Sequence, residues 1–145
     1  MMTSSKLLAL ISTLASNRPF RLEDVSRLTG ASLQPDASVS NEYFTVYSSG
    51  SGTESTFQKV ELRVPASKAT KGGLVLFELA PATCVTQDEA KRHFGQSPVL
   101  SVPTPRQPPE SPIYLKYSRP WGELRLGFSR GAKSCMVSVV IDSNE

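Results

Sequence analysis

The sequence predicts an α+β domain with a mostly antiparallel sheet, and three observations carry that prediction. Residues 113–142, IYLKYSRPWGELRLGFSRGAKSCMVSVVID, read as three strands joined by two short turns, with apolar residues in step across both turns. Residues 42–79 hold a second set of three strand-like runs. Helical signals are confined to the first 30 residues and to one capped segment at 86–95, so helix runs and strand runs are segregated rather than alternating. The plan is an N-terminal helical pair (1–30), a three-stranded antiparallel meander (42–79), a helix (86–95), a Pro-rich connector (97–112) and a second three-stranded meander (113–142). All of it fits one domain of 145 residues, enough chain to bury a real core.

In chain order, Thr3 or Ser4 can cap a first helix running to about Ser16, where Asn17 and Pro19 end it. Leu7, Leu10 or Ile11, and Leu14 fall at helical spacing. The same stretch, one lysine followed by LLALISTLA, faintly resembles a short leader ending near Ala15. The helical reading is preferred. A second helix spans Leu22–Leu28, with Glu23 and Asp24 at its start and Gly30 placed to close it in a left-handed conformation. A helix-turn-helix is set aside, because ASLQPDASVSNEYF is neither basic nor helical.

Glu42–Tyr47 is β-rich, and Phe57–Val64 alternates Val60, Leu62 and Val64 with Lys59, Glu61 and Arg63. SSGSGTES between them is a flexible hairpin loop; it lacks the GK[ST] and following helix of a phosphate cradle. Leu74–Leu79 is apolar on both faces, as a central strand should be. Thr86-Gln87-Asp88-Glu89 forms a capping box for a helix to Phe94, closed by Gly95, that covers one sheet face through Ala90 and Phe94. Six prolines between Ser97 and Pro112 make an extended connector.

The second meander fixes its own register. A four-residue turn at Ser118–Trp121 sets Tyr117 opposite Gly122, Leu115 opposite Leu124 and Ile113 opposite Leu126. A turn at Arg130–Lys133 sets Phe128 opposite Cys135, Leu126 opposite Val137 and Leu124 opposite Val139. A one-residue slip would move this apolar set into water. The other face collects Tyr114, Lys116, Trp121, Glu123, Arg125, Met136, Ser138 and Val140. Part of it can be covered by a helix and the rest can be ordinary surface. A sharper reading makes it a partner-binding face, carried by Tyr114, Lys116, Trp121, Arg125 and Met136, since Trp, Tyr, Met and Arg are enriched at interfaces.

The net charge of +3 and pI near 9 are mildly basic, and the excess is spread along the chain rather than gathered in a block. Nucleic-acid binding through Tyr114, Lys116, Trp121 and Arg125 is a minor alternative, one stacking platform without flanking basic strips. His93 is the sole histidine and sits late in a helix, where a cation suits the dipole. No GxSxG, CxxC or Cys/His spacing occurs, so no catalytic, metal or cofactor site is expected. Cys135, on the inward face, reads as a small buried residue. A bond to Cys84 needs that loop to lie beside the last strand and would imply an oxidising compartment. No apolar run approaches the ~20 residues that cross a bilayer. A cytoplasmic location is expected, with a periplasmic one as the alternative if residues 1–15 are a leader and Cys84 pairs with Cys135.

RLEDVSRLTGASL after a leading helix, then VELRVP, LVLFELAPATCVT, and PWGELRLGF followed by CMVSVVID, resemble small proteobacterial immunity proteins, the partners that neutralise secreted antibacterial toxins. The resemblance implies a non-catalytic protein that binds a cognate toxin, encoded by the adjacent gene, and plugs or distorts its active site. The basic pI points to an acidic or neutral toxin. A secretion chaperone or adaptor, predicted to be a homodimer holding an extended segment of its client, is the alternative, alongside the nucleic-acid module; monomer and homodimer both stay open.

Overall fold

The structure, a computed structural model, describes residues 2–49, 56–80, 83–96, 98–102, 104–108 and 111–145. Most of the SSGSGTES loop lies outside the described residues.

Helix α1 (Ser4–Ser16) starts where the Thr3 hydroxyl accepts the Lys6 N–H at 3.2 Å and stops where the Asn17 N–H bonds to Leu14 O. Its apolar stripe, Leu7, Leu8, Leu10, Ile11 and Leu14, is buried. The chain then passes a cis Arg18–Pro19 bond into α2 (Leu22–Thr29). Gly30 ends α2 at φ 71°, a left-handed conformation that glycine adopts without steric cost. Helix α3 (Gln87–Phe94) carries the complete capping box: the Thr86 side chain accepts from Glu89 N, and the Glu89 carboxylate accepts from Thr86 N.

Strands β1 (Leu33–Pro35), β2 (Phe44–Ser49), β3 (Phe57–Pro65), β4 (Gly73–Leu79), β5 (Val99–Ser101), β6 (Ile113–Arg119), β7 (Gly122–Phe128) and β8 (Met136–Ser143) form one antiparallel sheet in the order β1-β2-β3-β4-β8-β7-β6-β5. The fold is α+β, but the two separate three-stranded meanders of the sequence reading are corrected. Each block has a fourth, three-residue outer strand, and β4 pairs with β8 to weld the blocks into one sheet. Three residues are too few to show a two-residue period, and the prolines around Val99–Ser101 disguise that strand as connector. Nor do α1 and α2 stand apart as a helical pair. Both are layered on the sheet, α1 touching α2 and α3, and α2 touching β3.

Among the described residues, all three helices lie on one face. There Leu62, Val75, Phe77, Leu126, Phe128 and Ile141 meet Leu7, Ile11, Leu14, Val25 and Ala90 in one buried cluster. Burying an aliphatic or aromatic side chain of this kind is worth about 1.5–3 kcal/mol.

Two register details differ from the sequence reading. The β6–β7 hairpin turns through Pro120-Trp121 alone, with Arg119 opposite Gly122, so each strand pairs two residues further along than expected. A shift of two leaves every side chain on its face. Gly122 makes the tighter turn feasible: at φ 150°, a Cβ there would lie 1.9 Å from the Asp142 carbonyl oxygen. Between β7 and β8 a bulge sets Gly127 opposite Ser138 and Phe128 opposite Met136, leaving Val137 as the extra residue. Beyond it the inward set becomes Met136, Val139 and Ile141. Cys135 falls outside the ladder and is disulfide-bonded to Cys84, with the Cα atoms 4.9 Å apart. A Thr86–Cys135 bridge and a 2.8 Å bond from Met136 N to Val85 O hold the same segment against the start of β8.

Candidate partner-binding face

With all helices on one side, the other side of the sheet carries no helix among the described residues. Its middle is set by the register. One row across the strands runs Ser48, Glu61, Leu76, Val140, Arg125, Lys116 and Val99; the next runs Val46, Arg63, Leu74, Asp142, Glu123 and Ser118. Leu74, Leu76 and Val140 form a half-buried to buried apolar centre. Charge pairs flank it. Arg125 bonds Glu123 at 3.3 Å and Asp142 at 3.4 Å, and Arg63 bonds Glu61 at 3.2 Å. Such exposed pairs add little stability; here they hold the arginine heads in place. Lys116 sits directly across from Arg125, a repulsive placement that Glu123 and Asp142 offset by gripping Arg125.

Three of the five residues nominated from sequence share this face. Lys116 and Arg125 are cross-strand neighbours, and Tyr114 lies over Gly127, where a Cβ would meet the Tyr114 ring at 3.0 Å and Ser138 Oγ at 2.3 Å. The other two are corrected. Met136 is 1 % exposed and packs in the helix-side core, because the bulge shifts its side chain by one position. Trp121 occupies the β6–β7 turn and packs against the core cluster, with the Arg18 guanidinium 4.6 Å from its ring. Arg18 also bonds Glu145 at 2.9 Å and donates to Ala15 O, so this corner ties the end of α1 to residues beyond β8.

Sequence reasoning missed the first block's share of the face, Glu61, Arg63, Leu74 and Leu76 above all. The β4–β8 pairing puts them beside the second block, and no local pattern announces that pairing. A usable signal was present: Glu61-Leu62-Arg63 and Glu123-Leu124-Arg125 repeat the same triplet.

At the lower end of the face, Phe44, Arg63, Lys71, Leu74, Asp142 and Asn144 border a groove of about 440 Å³. On the helix side, His93 is exposed and its Nε2 lies 2.9 Å from Ser12 Oγ, a link between α3 and α1. The Tyr117 hydroxyl donates to Gly95 O at 2.7 Å and Arg119 donates to Phe94 O at 3.0 Å, so β6 side chains satisfy carbonyls at the end of α3. Burial raises the Tyr117 phenol above its ordinary pKa, with nearby Arg119 pulling the other way. Among the described residues no three His, Cys, Asp or Glu side chains gather as a metal site, and no helix is long and apolar enough to cross a membrane.

Comparison with protein-family models, with curated proteins and with solved structures finds no match to this chain.

Proposed function

We propose that this is a non-catalytic binding protein whose helix-free sheet face is its contact surface and, following the resemblance to immunity proteins, that its partner is an antibacterial toxin encoded beside it. The observation that carries the reading is the one-sided layering of the sheet. Three helices bury one face, while the other presents an apolar centre between charge clusters, the general anatomy of a protein interface. Tyr114, Lys116 and Arg125 keep their nominated role, joined by Arg63 and Leu76; Trp121 and Met136 leave it.

The Cys84–Cys135 disulfide favours an encounter in an oxidising compartment, the periplasm in this reading rather than the cytoplasm.

The test is a pull-down from the native organism with the disulfide-bonded protein as bait, repeated with Arg125→Glu. A one-to-one complex with the neighbouring gene's product, weakened at least about tenfold by the charge reversal, is expected. Recovery of nucleic acid, or of an extended client segment, would replace the reading with one of its alternatives.

A further inference from the structure

The two halves of the sheet repeat one another in order and in register. Each runs through an eight-residue helix closed by glycine, α2 with Gly30 and α3 with Gly95, followed by four consecutive antiparallel strands. The strand order reads outward identically from the β4–β8 seam. A two-fold axis through the Val75–Ile141 pair carries β4 onto β8. The same axis carries Glu61-Leu62-Arg63 onto Glu123-Leu124-Arg125 and Tyr47-Ser48 onto Tyr117-Ser118, without a gap within either strand. Pro35 lies opposite Tyr47, and Pro98, one residue before Val99, falls opposite Tyr117 in the same way. Identical residues thus occupy symmetry-related positions on two successive strands of each unit, β2 and β3 in the first and β6 and β7 in the second. The described residues form two helix-plus-four-strand units related by this pseudo-two-fold, with α1 preceding the first.

The symmetry has a consequence for the helix-free face. Within each unit Glu and Arg stand two residues apart on one strand, one in each of the two central rows. A second copy turned over about an in-plane axis perpendicular to the strands places Arg63 over the other copy's Glu61 and Arg125 over its Glu123, while Leu74 meets Leu76. Turning it about the in-plane axis along the strands also sets every arginine over a glutamate, Arg63 over Glu123 and Arg125 over Glu61, with Leu76 over Val140. Both two-folds are therefore charge-complementary. Strands β3, β4, β8, β7 and β6, about 4.8 Å apart and roughly 20 Å long, offer on the order of 500 Å² per copy, Val46 of β2 being already buried. That gives about 1,000 Å² in all, the lower bound for a specific interface.

From this complementarity we infer that the helix-free face stacks on the same face of a second copy, forming a reversible two-fold homodimer. The inference does not rest on the toxin reading: a protein partner using this face competes with the dimer, and a strictly monomeric chain would leave that reading intact.

Sedimentation velocity on the purified full chain across a concentration series decides it. The wild type is expected to dimerise, and Arg63→Glu or Arg125→Glu, each setting like charges face to face, is expected to raise the dimer dissociation constant about tenfold or more. Exchanging both pairs at once (Glu61→Arg, Arg63→Glu, Glu123→Arg and Arg125→Glu) keeps each intrastrand ion pair and leaves the facing charges complementary about either axis, so it should restore association. Thermal melts establish that every variant is folded. A monomer at all concentrations, a dimer indifferent to the reversals, or no recovery in the exchange variant would overturn the inference.

Discussion

Gly122 and Met136 show how single positions decide what the rest of the chain can do. At Gly122 the backbone of β7 crosses so close to β8 that a Cβ would sit 1.9 Å from a carbonyl oxygen, with the Asp142 carbonyl carbon and Ser143 Cα at 3.0 Å. Backbone cannot yield as a flexible side chain can. Gly122→Ala is expected to cost roughly 3 kcal/mol, from the clash and the unfavourable φ together, seen as a lowered urea midpoint with the slope unchanged. Gly131, at φ 126° with open space around it, provides the control. Met136 marks the limit of sequence reading at this scale. Alternation assigns it to the outer face, and only the extra residue Val137 returns it to the core. A bulge has no composition of its own here, since CMVSVV could carry it at several positions or not at all.

Elements were the most legible level. Helix α1 starts behind its cap Thr3 and ends at Ser16, α2 closes on Gly30, and α3 runs from its capping box to Phe94. These boundaries are set by local hydrogen bonding and backbone sterics, which residue type alone specifies. Strands β2, β3, β4, β6 and β7 announce themselves by alternation or by continuous apolar runs. Strands β1 and β5 do not, because an edge strand of three residues is specified by its neighbour rather than by its own sequence. The end of α3 yields a test. Tyr117, through its 2.7 Å bond to Gly95 O, and Arg119, through Phe94 O, fasten the helix to β6. Tyr117→Phe should cost about 1 kcal/mol at neutral pH. Because folding raises the Tyr117 pKa, its linked stability is fully present below the ordinary tyrosine range near 10. It is lost as pH rises through the raised value, where the unfolded chain ionises first. Denaturant curves at neutral and alkaline pH should therefore fall less steeply with pH for the Phe variant than for wild type.

For the whole molecule, the sequence reading had the correct class but neither the two three-stranded blocks nor the arrangement that makes the face. Among the described residues, six of the seven strand pairings join strands consecutive in the chain, and β4 with β8 is the exception. A long-range pairing depends on two apolar strands finding one another, and Leu74–Leu79 and Met136–Ser143 carry nothing that names the other as partner. The sequence reading accordingly placed the candidate site on the second block alone. The duplicated Glu-Leu-Arg triplet was visible, but it gains meaning only after the seam relates its two copies.

The disulfide has a kinetic consequence as well as a place in the fold. Glu78 and Ser138 face one another across the seam yet are 60 residues apart along the chain. Cys84 follows β4 closely and Cys135 immediately precedes β8, so once the sulfurs are joined the shortest path between those partners is only about ten residues. Loop-closure entropy grows with the logarithm of that path, and the shortening is worth on the order of a tenfold change in the probability of encounter. The bond thus converts the pairing of β4 with β8, the non-consecutive strand pairing of the described sheet, into a local step. Stopped-flow refolding of the oxidised chain should outpace the Cys84→Ser/Cys135→Ser variant by about that factor. Equal rates would mean that the seam closes after the rate-limiting step.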